Sequence, residues 1–373
     1  MKLGWPSSRR NTRSSVITES LICMLASFQA RLLAIVLILT LVSGCAGINS
    51  GSFSWRDEAV DLTWPPPPDL PRIGYLRSFH GPTDFRTKDG GRGLLTWLLG
   101  ERQDELPLLS PFAVAATASG LVWVADNGSR MLYRFDVNRR RVEYFQELGG
   151  LRLFSPNGLA VDETGQRLFL SDAGLDRVLV LDQQGRLLDR WGPQQGFSRP
   201  VGLAYDPQQG RLLVADAMGG QVFVYDSQGR ELLRLGSRVN ADGRFARPLA
   251  VDFGPNGEIL VLDALSFRVE VLDGEGDLLT TIGQVGDAAG FLARPKGLAV
   301  NAQGHVFISD SAFDNIQVFD MAGNLLMYWG SAGSGLGQFN MPAGLFVDAE
   351  GRLFVADWYN HRVQVFESLK ATE

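Results

Sequence analysis

Short apolar runs separated by polar turns fill residues 72–367. Residues 297–330 show the pattern, reading GLAVNAQG, HVFISD, NIQVFDMAG and NLLMYWG from residue 297 onward. Runs of this length, rich in Val, Ile, Leu, Phe and Tyr and bounded by Gly, Asn or Asp, are typical of β-strands. Each such unit therefore predicts four antiparallel strands joined by tight turns.

The four-strand pattern recurs six times. An aspartate ends the second run of every unit, and successive aspartates are 46, 44, 47, 47 and 47 residues apart, with a proline 15 or 16 residues before each. A fixed period of this size indicates a repeat architecture. The predicted fold class is all-β, a six-bladed β-propeller of four-stranded blades. The aspartates, which we interpret as structural repeat positions, are Asp126, Asp172, Asp216, Asp263, Asp310 and Asp357.

The sixth unit lacks its fourth run, because the chain ends shortly after VQVFE at residues 363–367. A suitable run, RIGYLRSFHG, lies upstream at residues 72–81. We expect this N-terminal strand to close the last blade, since an open apolar edge would invite aggregation. Residues 82–107 then form an insertion with a short helix around Trp97, and residues 368–373 form a C-terminal tail.

Two stretches of the last unit resemble the NHL repeat. They are FNMPAGLFVD at residues 339–348 and VADWYNHRVQVF at residues 355–366, and the resemblance covers roughly residues 72–367. It implies a six-bladed propeller with an axial channel. It does not imply one activity, because one fold hosts many functions.

The N-terminus has the pattern of an export signal. An uncharged apolar run, residues 32–42, follows Arg31 and is followed by Ser43, Gly44 and Cys45, so that residues 42–45 read VSGC. The run is too short for a comfortable bilayer-spanning helix but suits a secretory signal. VSGC resembles the lipobox of bacterial lipoproteins, which implies a signal peptide over residues 1–44, with Met24 as an alternative start, and lipidation of Cys45. An uncleaved membrane anchor is the alternative.

A resemblance to Gram-negative lipoproteins, with Ala46 after the cysteine, favours the outer membrane. The expected localisation is therefore export and lipid anchoring, facing the periplasm or the outside. Residues 45–71 are predicted to be a lipidated cysteine and a Pro-rich tether, because Pro65–Pro68 favours an extended polyproline II spacer. A ligand for a proline-recognition domain is the alternative.

Charge argues against nucleic acid as a partner. The first 44 residues hold five basic residues and one acidic residue, so the remainder carries a formal net charge of −10, against −6 for the whole chain. Binding to phosphate backbones needs an excess of Lys and Arg.

The residues offer little for metal chemistry. The chain has three histidines, which the repeat register assigns to different strands or loops, and both cysteines lie within the first 45 residues. We expect no cofactor, no metal site and no catalytic residues. The alternative, by resemblance to gluconolactonase-like and amidating-lyase-like propellers, is a hydrolase or lyase acting in the channel.

The loops between second and third strands should gather on one face of the ring, and their tips carry apolar residues. Arginines precede three of the repeat prolines and should lie at the same rim. Apolar and aromatic side chains ringed by Arg are typical of protein interfaces. Packing of these tips between neighbouring loops is the alternative. The predicted role is an envelope protein-binding or scaffold module, with a protein or peptide partner. The candidate binding residues are Leu175, Met218, Leu265, Phe267, Phe313, Trp358, Tyr359, Arg199, Arg247 and Arg294.

Overall fold

The computed structural model describes residues 53–85, 106–236 and 245–369. Within these ranges the chain is almost entirely β, with two short 3-10 turns at Pro82–Phe85 and Trp358–Asn360. No helix in the described ranges is long and apolar enough to cross a bilayer. The predicted signal peptide, Cys45 and the helix predicted around Trp97 lie outside the described residues.

Six antiparallel sheets form the blades of a ring, so the predicted six-bladed propeller is confirmed. The first strand of each blade begins at the repeat proline, lies innermost, and packs beside the first strands of both neighbouring blades. A two-stranded hairpin, Glu147–Leu148 with Leu151–Arg152, connects blades one and two.

The strands, in chain order within each blade, are as follows. Those of blades one and two are Pro111–Ala116, Leu121–Asp126, Met131–Asp136 and Arg141–Phe145, then Pro156–Asp162, Arg167–Asp172, Arg177–Asp182 and Leu187–Trp191. Those of blades three and four are Pro200–Asp206, Arg211–Asp216, Gln221–Asp226 and Glu231–Leu235, then Pro248–Phe253, Ile259–Asp263, Arg268–Leu272 and Leu278–Ile282. Those of blades five and six are Pro295–Val300, Val306–Asp310, Asn315–Phe319 and Leu325–Trp329, then Pro342–Val347, Arg352–Asp357 and Arg362–Ser368.

The N-terminal strand Ile73–Phe79 completes blade six. It pairs antiparallel with Arg362–Ser368, aligning Ile73 with Ser368 and Phe79 with Val363. The predicted closing strand is therefore confirmed, and it covers the edge that the third strand of the blade would otherwise expose. A two-residue strand, Thr63–Trp64, adds a fifth member to this sheet.

The apolar core lies between neighbouring blades. In the second strand of blade two, Leu168 and Leu170 pack towards blade one, whereas Phe169 packs towards blade three. Successive side chains of a strand point to opposite faces, so a strand with blades on both sides favours apolar residues on both of its faces. This explains why the runs are continuously apolar rather than alternating.

Small residues line the innermost strands where neighbouring blades approach most closely. A Cβ atom on Gly158 would lie 1.9 Å from the carbonyl oxygen of Val201, and one on Gly297 would lie 2.2 Å from that of Ala343. No side chain larger than hydrogen fits at such distances without moving backbone. Glycine in this column in four blades, and alanine in the other two, therefore lets the six inner strands crowd around a narrow axis.

Residues 53–64 fold against the propeller, which differs from the extended spacer predicted for residues 45–71. The Trp55 ring stands edge-on to Phe354 with centroids 5.4 Å apart, and the Arg352 guanidinium lies 4.6 Å from the Trp55 ring centroid. The Trp64 ring packs on Phe366, with centroids 5.8 Å apart. Packing of these aromatic side chains holds the segment on the last blade, so residues 53–64 belong to the folded body, which was predicted to begin at residue 72.

Candidate functional site

The repeat aspartates tie two loops together at one end of each blade. We call the loops between second and third strands the tip loops, the residues just before each repeat proline the approach segments, and the end of the ring that they share the loop face. Asp172 is typical: its carboxylate accepts hydrogen bonds from the backbone N–H of Phe154 (2.9 Å) and Ser155 (3.0 Å) in the approach segment. It also accepts hydrogen bonds from Gly174 (2.8 Å) and Leu175 (3.1 Å) in the tip loop.

The same arrangement recurs at four other blades, and every one of these aspartates is buried. Asp126, Asp216, Asp263 and Asp310 each accept from two approach-segment N–H groups and from at least one donor in the tip loop. A carboxylate with this many donors is fully engaged in holding backbone in place. The loop face is therefore built on rigid loops.

In blade six the aspartate also forms a buried ion pair. The Arg362 side chain is almost wholly buried and its Nε donates to Oδ2 of Asp357 at 2.8 Å. The same guanidinium donates to the carbonyl oxygens of Ser334 (2.9 Å), Gly335 (2.7 Å) and Gln338 (2.9 Å). Asp357 and Arg362, which resemble a catalytic pair in the sequence, thus hold the last loop in place. The neighbouring His361 has a left-handed backbone, with φ of 55°, and its Nδ1 contacts the carbonyl oxygen of Leu109.

The structure brings all ten candidate binding residues to the loop face, because each lies in a tip loop or an approach segment. They differ in exposure. Met218, Leu265 and Tyr359 have 51%, 56% and 52% of their surface exposed. The other apolar members are partly buried, namely Leu175, Phe267, Phe313 and Trp358. Of the arginines, Arg199 and Arg294 are exposed and Arg247 is partly buried.

Exposed apolar side chains also occur elsewhere on the ring. The outer strands of the blades carry Leu188, Leu232 and Leu279, which are exposed to a similar degree. Apolar exposure alone therefore does not distinguish the loop face. What distinguishes it is that exposed apolar side chains lie on loops fixed by buried carboxylates, beside two exposed arginines, Arg199 and Arg294.

The aromatic pair of the last tip loop divides its members between two environments. Tyr359 points outward, and its ring centroid lies 5.0 Å from that of Trp358. Trp358 turns towards the ring axis and stands edge-on to Phe112 of blade one, with centroids 6.0 Å apart. Trp358 therefore forms part of the mouth of the axial channel.

Sequence reasoning missed Lys296, the second residue of the innermost strand of blade five. Its Nζ lies 3.9 Å from the centroid of the Trp358 ring and is buried without an acceptor among the described residues. Burial, together with the positive charge of Arg294, lowers the pKa of Lys296 to about 7, against a smaller opposing effect of Asp314. The repeat alignment held the signal, because the other blades place Phe112, Asn157, Val201, Leu249 and Ala343 in this column.

The cavity at the axis is small. Residues from all six innermost strands enclose about 50 Å³, and apart from Lys296 and Asn157 the lining is apolar or glycine. Asn157 is already engaged, since its Oδ1 accepts from the Asn127 side chain at 2.9 Å and its Nδ2 donates to the Ser155 carbonyl at 3.0 Å. Ligand pockets usually enclose about 300 Å³ or more. The interior therefore has room for a small group and not for a whole substrate.

The described residues include no group of three or more His, Cys, Asp or Glu side chains placed to hold a metal ion. Of the three histidines, His80 and His361 are exposed and His305 makes local contacts with Asn301. Among the described titratable groups at the channel mouth, Lys296 is the one whose pKa is shifted most by its surroundings.

Comparison with known proteins finds one match to a repeat family and several structures of similar fold. Residues 339–366 match the family model of the NHL repeat. No curated protein matches the sequence. The structure is similar to that of a streptogramin B lyase, with a TM-score of 0.53 and 12% identity, over 71% of this chain and 95% of that chain.

Two further solved structures are similar at comparable levels. One is a catalytically inactive virginiamycin B lyase from Staphylococcus aureus with quinupristin, with a TM-score of 0.52 and 11% identity over 72% of this chain and 86% of that chain. The other is an auxiliary nutrient binding protein from Bacteroides thetaiotaomicron, with a TM-score of 0.55 and 15% identity over 70% of each chain. At these identities the likeness shows the fold alone. The chain is a six-bladed β-propeller in which residues 339–366 match the NHL repeat.

Proposed function

We propose that this protein is a lipid-anchored propeller of the cell envelope that binds a protein or peptide partner through its loop face. The observation that carries the proposal is the display of exposed Met218, Leu265 and Tyr359 on loops held by buried aspartates. Binding through rigid loops costs less conformational entropy than binding through loops that must first become ordered. Preorganised apolar tips are therefore suited to recognition.

The charged groups at the same rim support this role. Arg199 and Arg294 are exposed and form no ion pair with any residue that the structure describes. Tyr, Met and Arg are enriched in protein interfaces, and exposed charges steer the approach of a partner. Anchoring through Cys45, with an address in the periplasm or outside, would place this face among envelope proteins.

A second candidate is a hydrolase or lyase acting at the channel mouth. Two observations favour it. Lyases are among the similar structures, and the pKa of the Lys296 amine is lowered to about 7. The cavity of about 50 Å³ supports the binding role over this one. Stoichiometric zinc or calcium in protein purified without chelators would favour the enzyme.

The test is capture of partners from envelope extracts by the full chain, with two matched double variants. Tyr359→Ala with Leu265→Ala truncates two exposed side chains of the loop face, and Leu188→Ala with Leu232→Ala truncates two equally exposed ones on outer strands. We expect the first pair to lose a specific partner and the second to retain it. Equal retention by both would refute the proposed face.

Anchoring has a separate test. Cys45→Ser should move the protein from the membrane fraction to the soluble envelope fraction, without changing capture of a partner by the purified chain. A Cys45→Ser protein that stays in the membrane fraction would refute lipid anchoring and leave the binding role standing.

A further inference from the structure

The Nζ of Lys296 is buried, although the side chain as a whole is only partly buried, and its hydrogen-bonding capacity is unused. An ammonium group has three donors, yet the Nζ of Lys296 finds no acceptor among the described residues. The Trp358 ring covers one side of the group at 3.9 Å, an attractive cation–π contact that nevertheless satisfies no hydrogen bond. A buried, unsatisfied donor is costly, so a ligand that supplies an acceptor gains what the empty site lacks.

The surroundings of this amine favour an anion. Arg294, two residues earlier in the approach segment, is exposed at the rim, and its positive charge acts on Lys296. The acidic group that faces Lys296 is Asp314, whose Oδ1 already accepts from the Met341 N–H at 2.6 Å. The repeat aspartates near the rim are buried and engaged with backbone donors. The mouth is therefore locally positive in a chain of formal net charge −6.

Shape narrows the class of anion. A cavity of about 50 Å³ is comparable with one or two water molecules, which suits a single planar carboxylate better than a bulkier group. The walls other than Lys296 and Asn157 are apolar side chains and glycine, so they favour an anion carried on an apolar stem. A glutamate or aspartate side chain, or the end of a peptide, has this form.

We propose that the mouth of the axial channel binds a carboxylate group, which accepts hydrogen bonds from the Nζ of Lys296 while the Trp358 ring fixes the amine from the other side. The inference rests on the proposed binding role and sharpens it: the partner presents an acidic segment that inserts one carboxylate at the axis. The exposed tips around the mouth then contact the flanking residues of that segment.

The direct test is calorimetric titration of the full chain in detergent with short capped peptides. One peptide is composed of glutamate and glycine, the other of glutamine and glycine. Charge-assisted hydrogen bonds are roughly twice as strong as neutral ones, so we expect the acidic peptide to bind at least about tenfold more tightly. Equal binding of the two peptides would overturn the proposal.

Two variants separate the site from general electrostatics. Lys296→Met keeps the length of the side chain and removes its charge, and should weaken binding of the acidic peptide about tenfold or more. Arg139→Met removes one positive charge at an exposed turn on the opposite end of blade one and should leave affinity unchanged. Equal effects of the two substitutions would mean that net charge, not the mouth, governs binding, and would overturn the proposal.

A spectroscopic readout keeps the test independent of folding defects in the variant. The chain has four lysines, Lys2, Lys88, Lys296 and Lys370, so their reductively ¹³C-methylated amines are few enough to resolve by NMR. In the wild-type protein, the acidic peptide should raise the pKa of the Lys296 amine alone. A signal from Lys296 that does not respond would overturn the carboxylate contact even if the peptide binds elsewhere.

Acetate and glutarate, titrated in parallel, distinguish the source of the carboxylate. Binding that is weak for both and strong for the peptide supports docking of an acidic segment. Glutarate bound as tightly as the peptide would identify a free small carboxylate as the ligand and overturn the docking of a protein segment. Partner capture that survives Lys296→Met but not the loop-face double variant would refute this inference and leave the proposed function intact.

Discussion

Arg362→Ala should be among the most damaging single substitutions in the last blade. The guanidinium is buried, pairs with the buried carboxylate of Asp357 at 2.8 Å, and donates to three backbone carbonyls of the preceding loop. Removing one partner of a buried ion pair costs about 3–5 kcal/mol, because the remaining charge stays buried without compensation. Asp357 keeps donors from Asn340 N and from the side chains of Asn360 and Gln364. We therefore expect the low end of the range, about 3 kcal/mol.

The matched control is Arg177→Ala, at the equivalent repeat position of blade two. The Arg177 guanidinium is partly exposed and donates to the carbonyls of Asp176 (2.8 Å) and Gln194 (3.3 Å), with no ion pair to a described residue. Its loss should cost about 1 kcal/mol or less. Arg362→Lys should fall between the two, since an ammonium cannot reproduce the fork of donors that reaches several carbonyls.

The assay is chemical unfolding in urea, followed by tryptophan fluorescence and near-UV circular dichroism. Comparable slopes in the three proteins would allow the free energies of unfolding to be compared directly. An Arg362→Ala cost below about 1 kcal/mol, or one no larger than that of Arg177→Ala, would refute the assignment of Arg362 as a buried fastening of the last blade.

Three further substitutions test the inner ring. Gly158→Ala should destabilise the fold by about 1–3 kcal/mol or prevent folding, because its Cβ would lie 1.9 Å from the Val201 carbonyl oxygen. The control is Gly274→Ala, whose Cβ would have no neighbour closer than 3.9 Å and which should be neutral in the same unfolding assay. Ser309→Ala should lower the free energy of unfolding by about 1–3 kcal/mol. Ser309 Oγ accepts from Gly297 N at 2.8 Å and donates to the Ala343 carbonyl at 2.6 Å, across the boundary between blades five and six. An unchanged urea midpoint would contradict a role for this hydrogen-bonded bridge. The pKa of Lys296 is lowered from 10.5 to about 7 in the folded protein, so the unfolded chain binds more protons between these values and stability should rise with pH across that window. Lys296→Met should remove this rise, and unfolding midpoints measured from pH 6 to pH 10 that follow the same slope in both proteins would argue against the shifted amine.

The six repeats and the closing N-terminal strand could be predicted because short sequence patterns specify them. The proline that opens the first strand and the aspartate that closes the second fix the ends of both strands, and the register pairs them directly, as Pro156 with Asp172. The last unit lacks a fourth apolar run, and an unassigned apolar run lies at residues 72–81, so the second can fill the place of the first. Geometry then requires the spare strand to pair with the open edge.

The segment at residues 53–64 illustrates where composition misleads. Ser, Gly and Pro around it are typical of a linker, and this pattern outweighed the aromatic residues Phe53, Trp55 and Trp64. Those rings pack on side chains of blade six and on Phe85, and such contacts depend on where distant strands end in space. Aromatic residues in a predicted linker were the available signal.

The channel mouth could be predicted only in part. The column that contains Lys296 is visible from the repeat alignment, and its lone charge marks it as unusual. The contact with Trp358 joins two blades and depends on the side-chain conformations that both residues adopt, which no spacing specifies. The exposure of Tyr359 and the partial burial of its neighbour Trp358 likewise follow from the 3-10 turn of that loop, which the sequence alone does not specify.

Site-specific photo-crosslinking in living cells tests the central claim most directly. A photoreactive amino acid placed at Tyr359 on the loop face, and in a second strain at Leu232 on an outer strand, samples two equally exposed positions. The account predicts a discrete crosslinked product from position 359 and none of the same mass from position 232. A product of equal mass and yield from both positions, or none from position 359, would contradict binding through the loop face.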